Sequence, residues 1–262
     1  MYIPPQSSRT PGYTPFRSPF SVSVPMTRKL VTEAIGTFFL VLTIGLVVTA
    51  QLQVAPLAIG AVLMVMVYMG GHVSGAHYNP AVTLAVLLRR RIVASEAAAY
   101  VMAQLGGAFL AALTVYAVTG QTFVVAPGEG TPASVAILVE ALFTFALALV
   151  VLNVATARET EGNSFYGLAI GFTVLAGAFA GGPISGGAFN PAVGIAPALA
   201  AAALGGEPVG FVWIYLVGPL IGAALATAVF AIQHPEPRVP PVPVPNPAPV
   251  MPEGEPEVAP RA

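Results

Sequence analysis

Gly71-His-Val-Ser-Gly-Ala-His-Tyr-Asn79-Pro-Ala-Val82 and Gly182-Pro-Ile-Ser-Gly-Gly-Ala-Phe-Asn190-Pro-Ala-Val193 are two versions of one pattern. In each, a glycine-containing stretch runs into Asn-Pro, which is helix-start chemistry. The asparagine side chain caps free backbone N–H groups, and proline suits the first helical position, where its missing N–H costs nothing. The segments that follow, 80–88 and 191–202, are apolar and half as long as a membrane-crossing helix.

The surroundings are apolar as well. Val54–Leu88, which holds the first pattern, has no Asp, Glu, Lys or Arg, and Gly162–Gly206, which holds the second, has none either. A crossing takes roughly 20 residues, so each run is too long for one and, with its breaks, too short for two. Further spans are expected at Leu30–Leu52 and near 95–118, 132–155 and 209–232. The sum is six full crossings plus two short re-entrant segments.

Basic residues orient the chain. Arg9, Arg17, Arg28 and Lys29 precede the first span, Arg89–Arg91 follow the first short segment, and Arg158 lies between the fourth and fifth spans. Arg238 and Arg261 are in the tail. With six crossings, all 10 Lys and Arg fall on one side, while the opposite loops near 51–55, 119–131 and 203–208 carry only Glu129 and Glu207. This positive-inside pattern predicts an integral membrane protein with both termini cytoplasmic, and the membrane is expected to be the plasma (inner) membrane.

The halves, about 27–119 and 131–232, repeat: Thr32-Glu33-Ala34 in the first span is echoed by Val139-Glu140-Ala141 in the fourth. Each half has an odd number of crossings, so the second is inverted relative to the first. Inverted repeats place a site near the midplane, where broken helices meet. Irregular backbone at that depth is tolerated only when it is buried in protein or lines a wet cavity, which implies a polar path. Half-helices meeting tip to tip would converge their positive dipole ends. Asn79 and Asn190 could then donate to a passing oxygen. Cations and protons would be repelled there, and a neutral hydroxylic molecule accepted.

Composition removes other classes. Charged residues make up 8% of the chain and hydrophobic ones 56%, against about 25% charged in soluble domains. A net charge of −1 gives no reason to expect nucleic acid as a partner. With Cys 0, there is no thiolate nucleophile, disulfide or Cys-ligated metal, and His72, His77 and His234 lack metal-ligand spacing. No catalytic group, metal or cofactor is expected. Residues 1–26 and 233–262, rich in proline, read as disordered cytoplasmic arm and tail.

Asn79-Pro80-Ala81 and Asn190-Pro191-Ala192, set in inverted halves, resemble the paired signature of the major intrinsic protein family, the aquaporins and glycerol facilitators. The resemblance covers roughly 27–232. It implies an all-α membrane protein with six transmembrane helices, two re-entrant half-helices and one pore per chain, assembled as a homotetramer. The implied function is passive passage of water and small neutral solutes. The family's outer filter falls here on Ile59, Ala178, Gly187 and Val193. Most relatives carry Arg where this chain has Val193, water-selective ones often His at Ala178, and an aromatic is common at Ile59. The filter is therefore expected to be wider and more apolar than a strict water channel's. Ala198 resembles the water group, Leu216 is closer to the glycerol group and Tyr215 is equivocal; Gly194 replaces the Asp common in glycerol facilitators. Gly187 also fills a position where many relatives carry a cysteine, the target of mercurials.

Glu33 and Glu140 are the carboxylates best placed inside spans. A proton relay in a coupled secondary transporter is one reading. The other, which the resemblance favours, is that each accepts backbone N–H groups from a re-entrant loop. His77 lines a cytoplasmic vestibule or is a satisfied structural histidine; His72 and Glu96 are expected at the interface. Arg89–Arg91 orient the chain or bind anionic lipid. Gly177, Gly181, Gly218 and Gly222 have the spacing of close helix packing. A closed-pore structural membrane protein is the third functional reading.

Overall fold

The computed structural model describes residues 24–206 and 210–235, so nearly all of the expected arm and tail lies outside the described residues. Eight α-helices follow one another: α1 Met26–Thr49, α2 Ala55–Ser74, α3 Pro80–Leu88, α4 Ala94–Thr119, α5 Ala133–Thr156, α6 Tyr166–Ser185, α7 Pro191–Ala203 and α8 Ile214–Gln233. A 3-10 turn, Arg158–Thr160, joins α5 to α6. All but α3 and α7 are long and apolar enough to cross a membrane. No strand occurs among the described residues.

Two boundaries differ from the sequence expectation. The first helix starts at Met26, just past Pro25, and takes Arg28 and Lys29 into its first turn. Lys29 Nζ meets Glu96 Oε1 of α4 at 2.6 Å, which pairs these two charges. The last span starts at Ile214 rather than near 209, because residues 210–213 form a turn. Hydrophobicity alone does not mark that turn, since Phe211, Val212 and Trp213 are as apolar as the helix.

Each half packs in the same way. The pairs α1–α4 and α5–α8 make the most extensive contacts within the halves, and α2–α6 makes the seam between them. Small residues permit these approaches. A Cβ on Gly107 would strike Ala34 O, and one on Gly222 would strike Ala141 O. Gly218 backs onto Glu140 Cβ, and Gly177 and Gly181 onto Phe143, so these glycines serve packing within the chain. Large apolar side chains such as Phe39, Leu110, Leu142 and Phe172 face outward, as lipid contact requires.

The seam is tightest at Gly60 and Gly171. A Cβ on Gly60 would lie 2.6 Å from Leu175 Cβ and 2.7 Å from Gly171 O; one on Gly171 would lie 2.5 Å from Gly60 O. Overpacking a fitted core costs about 1–3 kcal/mol. Gly60→Ala and Gly171→Ala should each lower the melting temperature in detergent. Gly106→Ala, where nothing lies within 4 Å, is the control and should leave it in place.

Candidate pore

The site is built where α2 and α6 stop. Gly75 (φ +89°) ends α2 and Gly186 (φ +92°) ends α6, both left-handed, a conformation glycine adopts without penalty. Beyond them Ala76, Tyr78 and Phe189 are also left-handed, at φ 53°, 49° and 50°. Such backbone is strained for residues with a Cβ, so something must hold it.

Two carboxylates do. Glu33 Oε1 accepts from Ser74 Oγ (2.6 Å) and His77 N (3.0 Å); Oε2 accepts from Tyr78 N (2.7 Å) and Gln104 Nε2 (2.8 Å). In the other half, Glu140 Oε1 accepts from Ser185 Oγ (2.8 Å) and Ala188 N (3.0 Å), and Oε2 from Phe189 N (2.6 Å). Both carboxylates are 0% exposed, and neither lines a cavity. Tyrosines complete the match: Tyr100 Oη donates to Ser74 O and Tyr215 Oη to Ser185 O, each at 2.7 Å.

So held, the loops deliver Asn79 and Asn190 to the starts of α3 and α7. Asn79 Oδ1 accepts from Ala81 N at 2.8 Å and Asn190 Oδ1 from Ala192 N at 2.9 Å, with Pro80 and Pro191 in the first turn. The half-helices meet tip to tip. Asn79 Nδ2 donates to Phe189 O, and Asn190 Nδ2 donates to Tyr78 O, both at 2.9 Å. Each amide thus spends one hydrogen on the opposite loop and keeps a second for a passing molecule.

A cavity of about 460 Å³ runs past these tips. At the end opposite Arg89–Arg91 it is lined by Gln53, Pro56, Val125 and Phe179. Ile59, Ala178, Gly187 and Val193 all line it, as do Asn79 and Asn190. A second cavity of about 900 Å³ opens at the basic end, among Lys29, His72, Arg91, Glu96 and Arg158. His77 lines both. No cluster of metal-ligating side chains occurs among the described residues.

Three features were not read from the sequence. One is the crossed bonding of the asparagines. Another is Gln104, which joins Glu33 to Thr83 Oγ1 (3.0 Å) from a distant helix. The third is the 120–132 connection, where Phe123 is buried and Val125 and Ala126 line the first cavity. Ser74 and Ser185 did carry a signal, since both stand at the same place in the repeated pattern.

Six crossing helices, with two half-helices from inverted halves abutting beside a lined cavity, define a membrane channel. The Major intrinsic protein family model matches residues 20–230, and the chain belongs to that family. It is 40% identical over 227 residues to Nodulin-26 of Glycine max, covering 82% of this chain and 81% of that protein. It is 39% identical over 212 residues to Glycerol uptake facilitator protein-like 6 of Lactiplantibacillus plantarum, covering 76% and 94% respectively. The X-ray structure of the aquaglyceroporin from Plasmodium falciparum superposes with a TM-score of 0.71, covering 79% of this chain and 96% of that one. At 23% identity that match speaks for the fold alone.

Proposed function

We propose that this passive channel carries water together with small neutral solutes such as glycerol, urea, ammonia or hydrogen peroxide, and excludes ions and protons. The observation that carries the reading is the abutted pair of Asn-capped half-helices beside a cavity whose Ile59–Ala178–Gly187–Val193 zone holds no charged side chain. The converging N-termini are positive and disfavour cations, while the spare amide hydrogens favour a neutral oxygen. Glu33 and Glu140 support the loops in this reading. Neither is among the side chains that line the two cavities, which argues against a relay, and the assay separates this reading from a coupled transporter. On the positive-inside pattern the basic end is cytoplasmic, as are both termini, and the membrane is the plasma (inner) membrane. Likeness to the family supports a homotetramer with one pore per chain.

Stopped-flow swelling of proteoliposomes tests this. Water and at least one of these solutes should pass without saturation and without a proton gradient, and planar bilayers should show no ionic current. Flux that needs a proton gradient would make the chain a carrier. A silent protein would make it structural.

A further inference from the structure

The inverted repeat holds a second ring of pore-lining positions. Ile59 precedes Asn79 by as many residues as Ile170 precedes Asn190, and the same register pairs Ala178 with Val67, Gly187 with Ala76, and Val193 with Val82. The outer four positions therefore have four counterparts on the basic side of the asparagines. All four, Val67, Ala76, Val82 and Ile170, line the cavity and are buried. The register is real in three dimensions. The matched glycines Gly60 and Gly171 press on each other's backbone, and the glutamate–serine and tyrosine–serine bonds recur in the two halves.

Where the rings differ, the basic one is bulkier. Valine at 67 stands against alanine at 178 and alanine at 76 against glycine at 187; next to the rings, His77 stands against Ala188. Isoleucine and valine are shared at the other two pairs. The cavities agree with this difference. The cavity of about 460 Å³ passes through the whole outer ring and beyond both asparagines. It gives way to the second cavity only at Val67, His77, Val151 and Ile170, the side chains common to both.

The rings differ in polarity too. Thr83 Oγ1 donates to Asn79 O (3.0 Å), accepts from Gln104 Nε2 (3.0 Å) and contacts His77 Nδ1 at 3.1 Å. With the hydroxyl hydrogen on Asn79 O, Nδ1 is the donor to Thr83 and Nε2 is left as an acceptor. The imidazole is thus fixed through Thr83 and Gln104 to Glu33. The equivalent places in the other half are Ala188, Gly194 and Pro219, which can build no such chain.

On the channel reading above, we infer that the size-selecting ring lies on the basic side, at Val67, Ala76, Val82 and Ile170 with His77 beside it, and that the outer four positions form a wide antechamber. A solute must shed water to pass an apolar ring, and His77, next to Ala76, is the side chain there that can replace a lost hydrogen bond. Bulkier polyols meet their barrier there.

The test compares enlargements of the two rings in the full chain, reading erythritol and glycerol permeability relative to water in proteoliposomes. Val67→Ala should raise the erythritol-to-water ratio about tenfold, and Ile59→Ala by less than about twofold, on the scale of one methylene-sized change in a tight apolar site. Val67→Leu should lower the glycerol-to-water ratio, which keeps the test decisive if the alanine variant assembles poorly. An Ile59→Ala effect equal to or larger than that of Val67→Ala, with water flux intact, would overturn the ring assignment and leave the channel standing. A wild type that passes neither water nor solute would overturn the channel itself.

Discussion

Glu33→Ala is expected to abolish the assembled protein, whereas Glu33→Gln should assemble and conduct. The carboxylate accepts four hydrogen bonds in a fully buried place. Removing it takes the acceptor from the His77 and Tyr78 N–H groups, the Ser74 hydroxyl and one Gln104 amide hydrogen at once. Each unsatisfied buried group costs about 1–3 kcal/mol. Several together rival the whole stability of a typical fold, about 5–15 kcal/mol. The surrounding lipid offers no replacement acceptor. The amide variant keeps one oxygen for Ser74 and His77, and its new NH₂ then faces Gln104. Gln104 Oε1 has no partner in the native structure, so turning that amide offers the NH₂ an acceptor. The Tyr78 N–H loses its bond, and turning the amide also takes Gln104 Nε2 away from Thr83 Oγ1.

The other half has no glutamine to turn, so Glu140→Gln should be the more damaging of the two amide changes. Its NH₂ would point at Phe189 N, which lies 2.6 Å from Glu140 Oε2. Gel filtration in detergent and water flux in liposomes read both outcomes. Well-assembled Glu33→Gln protein without flux would restore the proton-relay reading.

The glutamates show how far the sequence could be read. Their place in the spans, and the two Asn-Pro half-helices starting at Pro80 and Pro191, were legible because period, charge and capping chemistry are local. Their bonding was not. The groups they hold are mostly backbone N–H in loops, which no side chain marks, and Gln104 comes from another helix. The crossed bonds of Asn79 and Asn190 were hidden for the same reason, since each acceptor is the backbone carbonyl of an aromatic residue in the opposite half. The inverted repeat was visible in the motifs. Its consequence for the pore needed the cavity, because a register match says which positions correspond but not where the path narrows.

Val193→Arg should turn a broad pore into a narrow one. Val193 is 3% exposed, sits in the first turn of α7, and shares its cavity with Ile59, Ala178 and Gly187. Small residues at 178 and 187 leave room on that side of the path. A guanidinium would fill it, add five fixed donors and set a permanent positive charge beside the route. The positive end of the half-helix disfavours that charge by about 0.3–1 kcal/mol, so a slightly lower melting temperature should accompany the change. Water is small enough to slip past and can exchange hydrogen bonds with the donors. Glycerol and urea must fit a smaller opening, and should lose about 10-fold or more in permeability while water loses less, as expected for steric discrimination in a tight site. The narrowest point would then move from the Val67–Ile170 ring to the outer one. Accordingly, Val67→Ala should no longer raise the erythritol-to-water ratio when combined with Val193→Arg. Equal loss of water and solutes in the single variant would show that the outer positions already close on the path, and a wild type that passes water alone would show that the pore is not broad.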